Sequence, residues 1–165
     1  MIKLEHFVLD SYKEEYESIK NEFETGKSKS NFISDISKRL YASRNNNSFF
    51  GSAYVVLNNL EPIGYVYISG ISNDDIYIEC AILHNKRKLG YASLLLKELT
   101  DYIFSNYNIR QIKLDISLNN QGSIMVAKKN GFDVDEEDFE NRGYSNKMIF
   151  VKDNLFYENK RRNKF

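Results

Sequence analysis

The spacing of apolar and polar positions along the chain predicts a mixture of strands and helices. Apolar runs rich in β-branched and aromatic residues indicate strands, at residues 2–9, 52–57, 63–71, 76–83, 111–116, 132–134 and 144–151. Apolar residues three and four positions apart indicate helices, at residues 12–23, 32–43, 89–106 and 120–130. The predicted order is therefore a strand, two helices, three strands, a helix, a strand, a helix and two strands.

The connections between these elements predict how the strands pair. Short polar turns separate the strands at 52–57, 63–71 and 76–83, so these strands are expected to form an antiparallel meander. The strand at 76–83, the helix at 89–106 and the strand at 111–116 require a parallel crossover. The predicted fold class is α/β, with a mixed central sheet flanked by helices.

The stretch from residue 76 to residue 96 combines a strand, a basic turn and the start of a long helix. The strand is almost continuously apolar and carries one charge, Glu79, which suits a strand buried on both faces with Cys80 as a small core residue. A helix that directly follows a strand presents unpaired N–H groups and the positive end of its dipole, which attract phosphate. Neither GxxxxGKS/T nor GxGxxG is present, which disfavours a nucleoside triphosphate or NAD.

The turn in this stretch resembles motif A of the GNAT superfamily of N-acetyltransferases, whose pattern is R/Q-x-x-G-x-G/A between a strand and a helix. Arg87, Gly90 and Ala92 fill that pattern. The predicted order of elements is also that of the acyl-CoA N-acyltransferase (GNAT) fold, so the resemblance extends beyond the motif.

A second segment points to a branch of the same superfamily. Residues 120–123 read NQGS and residues 129–132 read KNGF, similar to the NxxS and KxGF motifs of the ribosomal-protein N-terminal acetyltransferase-like (RimJ/RimL-like) branch. The resemblance covers residues 76–132 well, whereas residues 1–50 match in element order only.

The resemblance implies acetyl-CoA as the donor and a primary amine as the acceptor, without a metal. Backbone groups near Ala81 and Ile82 would hold the pantetheine amides, and the side chain of Asn120 would hold the pantetheine arm. The diphosphate would lie on the backbone N–H groups of the turn, which comprises Arg87, Lys88, Leu89, Gly90, Tyr91 and Ala92.

The acceptor amine must lose its proton before it can attack a thioester. At pH 7 about one in 2,500 lysine-like amines with a pKa of about 10.4 is neutral, against roughly one in ten α-amines with a pKa near 8. Glu79, on the same side of its strand as Tyr77 and Ala81, is the predicted base, acting directly or through a water. The alternative is that Glu79 is half exposed or pairs with a basic neighbour.

The departing thiolate needs a proton or a hydrogen bond. Many members of the superfamily supply a tyrosine where this chain has Ala127. Ser123 lies one helical turn earlier on the same face, so it is the predicted substitute near the sulfur and a further coenzyme contact. The alternative is that Ser123 is only a favourable first-turn residue and that water protonates a thiolate with a pKa near 8.5.

No shared motif marks the acceptor site, so its residues are hypotheses. Tyr65 and Tyr67 share one face of their strand and, with Tyr77, could line the acceptor cleft, although packing also explains strand tyrosines. An acidic run at 133–140 precedes the last strand. It is either a solvated loop or a sign of a cationic acceptor such as a polyamine, an aminoglycoside or a basic peptide end.

Composition bounds the organisation and the partners of the chain. Its 165 residues include 23 Lys plus Arg, 23 Asp plus Glu and one cysteine. This length predicts a single domain over residues 1–165, with residues 155–165 as a disordered or loosely attached tail. The balanced charge disfavours nucleic acid, and the lack of a signal peptide and of an apolar run of about 18 residues predicts a cytoplasmic protein with no membrane partner. A homodimer is left open.

Two other functions stand beside acetyl-CoA-dependent N-acetylation. The alanine at position 127 leaves open a non-catalytic acyl-CoA-binding or regulatory module of the same fold. A phosphate-binding α/β domain for another nucleotide is the third interpretation. Stabilisation of the protein by ATP or NAD and not by coenzyme A would support this third interpretation. Release of free thiol from acetyl-CoA is expected of the enzyme only.

Overall fold

The computed structural model describes residues 2–6, 14, 49–69, 74–142 and 146–158. Its strands are β1 (Ile2–His6), β2 (Ser52–Asn58), β3 (Glu61–Ile68), β4 (Asp75–Ile82), β5 (Gln111–Ser117), β6 (Asp133–Val134) and β7 (Lys147–Asp153). Its helices are α1 (Tyr91–Asn106), α2 (Gln121–Lys129) and α3 (Glu136–Arg142), with a 3-10 turn at His84–Lys86. The helices predicted at 12–23 and 32–43 lie outside the described residues, apart from Glu14, which is helical.

The chain forms two compact units. The first comprises Met1–Gly70 and Glu79–Ala92, and the second comprises Ile71–Ile78 and Ser93–Phe165. The first half of β4 therefore belongs to the second unit and the second half of β4 to the first. That residues 1–165 make a single domain stays a prediction.

Antiparallel pairing organises the first unit. β1 pairs with β2 and β2 with β3, in the strand order β1-β2-β3-β4. Asn59 and Leu60, between β2 and β3, have φ angles of 50° and 70°, as in the two-residue type I′ turn that matches the twist of paired strands. The turn is shorter than the predicted polar turn at 58–62, and Pro62 lies inside β3 opposite Leu57. The predicted antiparallel pairing is confirmed for β2 and β3.

The second unit contains the parallel crossover. β4 runs parallel to β5, with Asp75 opposite Gln111 and Tyr77 opposite Lys113. β5 and β6 each pair antiparallel with β7, so the strand order is β4-β5-β7-β6. The prediction of a mixed sheet with a parallel crossover is therefore confirmed.

Each unit buries its own set of apolar side chains. Those of the first unit include Ala53, Val55, Val56, Ile63, Val66 and Ile68. Those of the second unit include Ile76, Leu95, Leu99, Ile103, Ile112, Phe132 and Phe150. Burying a large apolar side chain contributes about 1.5–3 kcal/mol, so the helical stripe of α1 is an important source of stability for the second unit. None of the described helices has the length and the apolar character needed to cross a bilayer.

α1 begins two residues later than the sequence predicted. The helix starts at Tyr91 instead of Leu89, because Lys88 and Gly90 have φ angles of 60° and 83°, outside the helical region. The displaced start leaves residues 87–90 as a non-helical turn in front of the helix.

The solvated loop predicted at 133–140 is wrong over most of its length, because Glu136–Arg142 form α3. Asp135 Oδ1 accepts a hydrogen bond from the backbone N–H of Asp138 at 3.1 Å, which is the contact of a helix N-cap. All the acidic residues of the first turn face the positive end of the helix dipole. A run of acidic residues thus stabilises this helix start, whereas composition alone indicated a loop.

β4 is not buried on both faces, contrary to prediction. Tyr77 and Cys80 are exposed, and Glu79 and Ala81 are half-buried, so the predicted core position of Cys80 is wrong. β-branched and apolar composition favours a strand without showing whether each face is covered. The side chains at 77, 79 and 81 share a face that solvent reaches, and on the other face Ile76, Ile78 and Ile82 are buried whereas Cys80 is exposed.

Residues at and just before the start of the tail predicted at 155–165 make hydrogen bonds to other segments, and the loose attachment of the tail stays a prediction. Asn154 is buried and donates a side-chain hydrogen bond to the carbonyl of Ile109 at 2.9 Å. The hydroxyl of Tyr157 donates to the carboxylate of Asp74. These contacts to loops distant in sequence attach the segment, and the rest of the tail lies outside the described residues.

Candidate active site

The turn between β4 and α1 is exposed and basic. Arg87, Lys88, Leu89 and Gly90 are all exposed, and a Cβ built on Gly90 would meet no atom within 4 Å. The first turn of the 16-residue helix α1 contains no acidic residue. The space beside Gly90 is therefore open at the start of a helix, where unpaired N–H groups and the positive end of the dipole attract anions.

Two side-chain contacts attach this turn to the β2–β3 hairpin. The amide of Asn58, at the end of β2, donates to the hydroxyl of Tyr91 at 3.3 Å. Lys86 forms an ion pair with Glu61, at the start of β3. The sequence analysis missed both contacts, because Asn58 lies 33 residues from Tyr91 and no local pattern links them.

The end of β4 is attached to the same turn and to β3. The side-chain Nε of Arg87 donates to the carbonyl of Ile82 at 3.0 Å, and the backbone N–H of Leu83 donates to the carbonyl of Ile63 at 2.9 Å. The Ile82 carbonyl, a predicted pantetheine contact, therefore already has one donor from the protein. A carbonyl oxygen has two lone pairs and can accept a second hydrogen bond.

Glu79 lies on the solvent-accessible face of β4. Its side chain is half-buried, between the exposed Tyr77 and the half-buried Ala81 on the same face. This position fits both the predicted catalytic base and the alternative of a half-exposed structural carboxylate. The catalytic role of Glu79 stays a prediction.

The start of α2 carries the two predicted coenzyme contacts of the second unit. The side-chain Oδ1 of Asn120 accepts a hydrogen bond from the backbone N–H of Ser123 at 3.1 Å, so Asn120 is the N-cap of α2. Ser123 is half-buried, and Ala127, one turn later, is fully buried. Capping accounts for the oxygen of Asn120, whereas its side-chain nitrogen has no partner among the described residues.

The end of α2 is attached to the first turn of α1. The side-chain nitrogen of Asn130 donates to the hydroxyl of Ser93 at 3.1 Å and to the carbonyl of Val126 at 2.8 Å. The sequence did not predict this contact. The presence of Asn130 in the KNGF segment was the one feature that could have indicated it. The contact holds the end of α2 to the start of α1.

The three tyrosines predicted for the acceptor cleft differ in exposure. Tyr65 is buried, Tyr67 is half-buried and Tyr77 is exposed. The ammonium of Lys113 lies 5.9 Å from the centre of the Tyr77 ring, within the range of a cation–π contact. Packing accounts for Tyr65, and Tyr77 is the most accessible of the three. The described part of the chain contains no cluster of three or more side chains suited to hold a metal.

The predicted site residues fall into the two units. The first unit brings together Glu79, Ala81, Ile82 and the turn at 87–92, all on β4 or directly after it. The second unit carries Asn120 and Ser123 at the start of α2. The first set offers a basic turn and a carboxylate, and the second offers an amide and a hydroxyl.

Solved acetyltransferases have a similar fold. The acetyltransferase from Agrobacterium tumefaciens is 17% identical with a TM-score of 0.72, over 92% of this chain and 90% of that chain. The spermidine N-acetyltransferase from Vibrio cholerae, in complex with CoA and spermine, is 16% identical with a TM-score of 0.68, over 93% and 95% of the two chains. The ribosomal-protein-S5-alanine acetyltransferase from Vibrio fischeri is 13% identical with a TM-score of 0.67, over 96% of each chain. The predicted GNAT fold is confirmed.

No curated protein sequence matches this chain. The profile of the family described as "Acetyltransferase (GNAT) family" matches residues 7–132. This range contains the β4–α1 turn and the whole of α2, the two segments on which the predicted resemblance rests. The chain belongs to the acetyltransferase (GNAT) family.

Proposed function

We propose that this protein is an acetyl-CoA-dependent N-acetyltransferase that transfers an acetyl group to a primary amine of a small molecule or of a protein N-terminus. The observation that carries the proposal is the basic turn before α1, which is exposed at residues 87–90 and leaves the Cβ position of Gly90 unobstructed. That geometry suits the diphosphate of coenzyme A, which is the donor of this family.

The proposed coenzyme site consists of the residues that the family resemblance implies. The backbone N–H groups of residues 87–92 bind the diphosphate, and Arg87 and Lys88 add positive charge beside it. The backbone at Ala81 and Ile82 receives the pantetheine amides, and the side-chain nitrogen of Asn120 donates to the pantetheine arm. Acetyl-CoA supplies the acetyl group as a thioester.

Glu79 and Ser123 act on the protons of the reaction. Glu79 takes a proton from the acceptor ammonium, directly or through a water, so that the neutral nitrogen can form its bond to the acyl carbon. The carbon–sulfur bond breaks, the Ser123 hydroxyl donates a hydrogen bond to the departing thiolate, and the further proton that the nitrogen loses passes to that thiolate through water. The products are the N-acetylated acceptor and coenzyme A.

A cationic acceptor is the substrate class that the charges of the chain support. Asp133, Glu136, Glu137 and Glu140 are exposed, and α3 arranges three of them on one ordered element. The similar structure from Vibrio cholerae holds spermine, and the one from Vibrio fischeri is named for a ribosomal-protein alanine. Polyamines and peptide N-termini are therefore the first acceptors to test.

The assay that tests this function measures free thiol released from acetyl-CoA with a panel of peptide N-termini, polyamines and amino sugars. The expected result is thiol release with at least one amine. Stabilisation by acetyl-CoA without thiol release from any amine would instead support the non-catalytic module, which the alanine at position 127 leaves open.

Glu79→Gln tests the proposed base in the same assay. The variant is expected to slow transfer most for acceptors of high pKa, because roughly 250 times fewer of those amines are neutral at pH 7 than of α-amines with a pKa near 8. Glu98→Gln, at an exposed acid on α1, is the matched control. An equal loss for acceptors of low and high pKa would argue against Glu79 as the base.

The remaining expectations concern location and assembly. A cytoplasmic location, the absence of a nucleic-acid partner and a homodimer stay predictions. Light scattering of the purified protein, with and without coenzyme A, measures the oligomeric state directly.

A further inference from the structure

Gly64, in the middle of β3, is a glycine that the structure needs for space. It is not among the residues with positive φ, so conformational freedom does not explain it. A Cβ built on Gly64 would lie 2.3 Å from the carbonyl oxygen of Ala81, 3.1 Å from Ile82 Cδ1 and 3.2 Å from Ile82 Cα. The shortest of these distances is to backbone, which cannot rotate away as a side chain can. Any side chain at position 64 must therefore displace the peptide between Ala81 and Ile82.

The register of β3 changes beside this glycine. Val56 pairs with Gly64 whereas Leu57 pairs with Pro62, so Ile63 is the extra residue of a β-bulge. The carbonyl of Ile63 accepts the hydrogen bond from Leu83 N–H at 2.9 Å. The bulge and the glycine together form the surface of β3 against which the end of β4 lies.

The displaced peptide is connected to the coenzyme turn. The carbonyl of Ile82 accepts the hydrogen bond from Arg87 Nε at 3.0 Å, and Arg87 is the first residue of that turn. A shift of the Ala81–Ile82 peptide by a fraction of an ångström therefore changes both the backbone proposed to receive the pantetheine amides and the contact that orients Arg87.

We infer that Gly64 is a positioning residue for the coenzyme site. Because it has no side chain, the Ala81–Ile82 peptide can lie close against β3, and Arg87 can bond to Ile82 while the turn stays open to the diphosphate. The inference rests on the proposed function, since it assigns Gly64 to the same coenzyme site. Gly64 itself touches neither substrate nor reacting atoms.

The test compares Gly64→Ala with Val66→Ala. Val66 is fully buried and lies two residues further along the same face of β3, so its truncation weakens the same strand without pushing an atom toward β4. Gly64→Ala is expected to raise the Kd for coenzyme A and the KM for acetyl-CoA about tenfold, since overpacking of this size displaces backbone. Val66→Ala is expected to keep both constants within about twofold of the unchanged protein while lowering the melting temperature.

Two results of this comparison would overturn the inference. The first is a Gly64→Ala variant that binds coenzyme A as tightly as the unchanged protein. The second is an equal loss of affinity in both variants, which would show that general destabilisation of β3 is the cause. If the unchanged protein itself does not bind coenzyme A, the proposed function fails, and that outcome is separate from either of these.

A measurement on the unchanged protein keeps the inference testable if Gly64→Ala does not fold. Titration with coenzyme A is followed by the backbone amide signals in a nitrogen–proton correlation spectrum. The signals of Gly64 and Ala81 are expected to shift together with those of residues 87–92. Saturation of the turn signals with no change at Gly64 and Ala81 would refute the role of Gly64.

Discussion

Alanine substitutions at Gly90 and Gly131 can be compared to distinguish a loss of coenzyme binding from an effect of backbone strain. Their φ angles are 83° and 80°, so replacement by alanine at either position imposes a similar left-handed cost of about 1–2 kcal/mol. In a chain of this size each kcal/mol lowers the melting temperature by about 2–4 °C. Both Gly90→Ala and Gly131→Ala should therefore melt about 2–8 °C below the unchanged protein.

Steric contacts within the protein do not separate the two variants. A Cβ on Gly90 meets nothing within 4 Å, and one on Gly131 meets the side chain of Lys152 at 3.6 and 3.7 Å, which is ordinary contact. The expected difference lies in the ligand, because only Gly90 belongs to the proposed diphosphate site. Loss of one hydrogen bond to a charged group costs about 1.5–3 kcal/mol, which is an affinity about 10- to 150-fold weaker.

Calorimetric titration with coenzyme A measures this difference. Thermal denaturation provides a second readout, since a ligand at about 100 times its Kd stabilises a protein by about 2.7 kcal/mol. Gly131→Ala should keep that stabilisation, and Gly90→Ala should lose most of it. Equal affinity in the two variants would show that the turn at 87–92 does not hold the diphosphate.

Four further substitutions test contacts and backbone strain within the individual units. Tyr91→Phe and Asn58→Ala should each raise the Kd for coenzyme A about 2- to 10-fold, as expected for one neutral hydrogen bond. The double variant should bind coenzyme A no more weakly than the weaker-binding single variant. Additive losses of affinity would show that the two residues do not act together. Asp75→Asn should lower the free energy of unfolding in urea by about 1–3 kcal/mol. This loss is smaller than that of a fully buried ion pair, because the side chain of Arg110, 2.5 Å from Asp75, is 46% exposed. An unchanged urea midpoint would contradict this prediction. Leu60→Gly should raise the melting temperature, because Leu60 has a φ of 70° and is 81% exposed. Glycine at this position relieves about 1–2 kcal/mol of backbone strain. A lower melting temperature would count against that reasoning.

The strand, turn and helix around residues 76–96 were predictable because their signals are local. An apolar run, a basic turn with one glycine and a helical stripe are all contained in adjacent residues. The structure confirms each of these elements, and the family match confirms the predicted membership of the GNAT superfamily. The predicted start of α1 was two residues early because apolar spacing does not report the φ angle of Gly90.

Burial and attachment were harder to predict because they depend on neighbours that the sequence does not show. Cys80 was expected in the core and is exposed, since the apolar character of β4 did not show which parts of its faces are covered. The acidic residues before β7 were expected to form a loop, but the cap at Asp135 and the dipole of α3 favour a helix. No local pattern indicates the hydrogen bond of Tyr157, in the predicted tail, to Asp74, because the two residues are 83 positions apart.

The sequence by itself determined the types of the elements, the α/β class, the family and the turn proposed to bind coenzyme A, because periodicity and the R-x-x-G-x-A pattern are properties of neighbouring residues. Only the tertiary structure decided which distant residues hold that turn. Asn58 reaches Tyr91 across 33 positions, and Gly64 makes room for Ala81 on the next strand. Such contacts depend on how strands lie against one another, and no spacing within one strand or one turn encodes them.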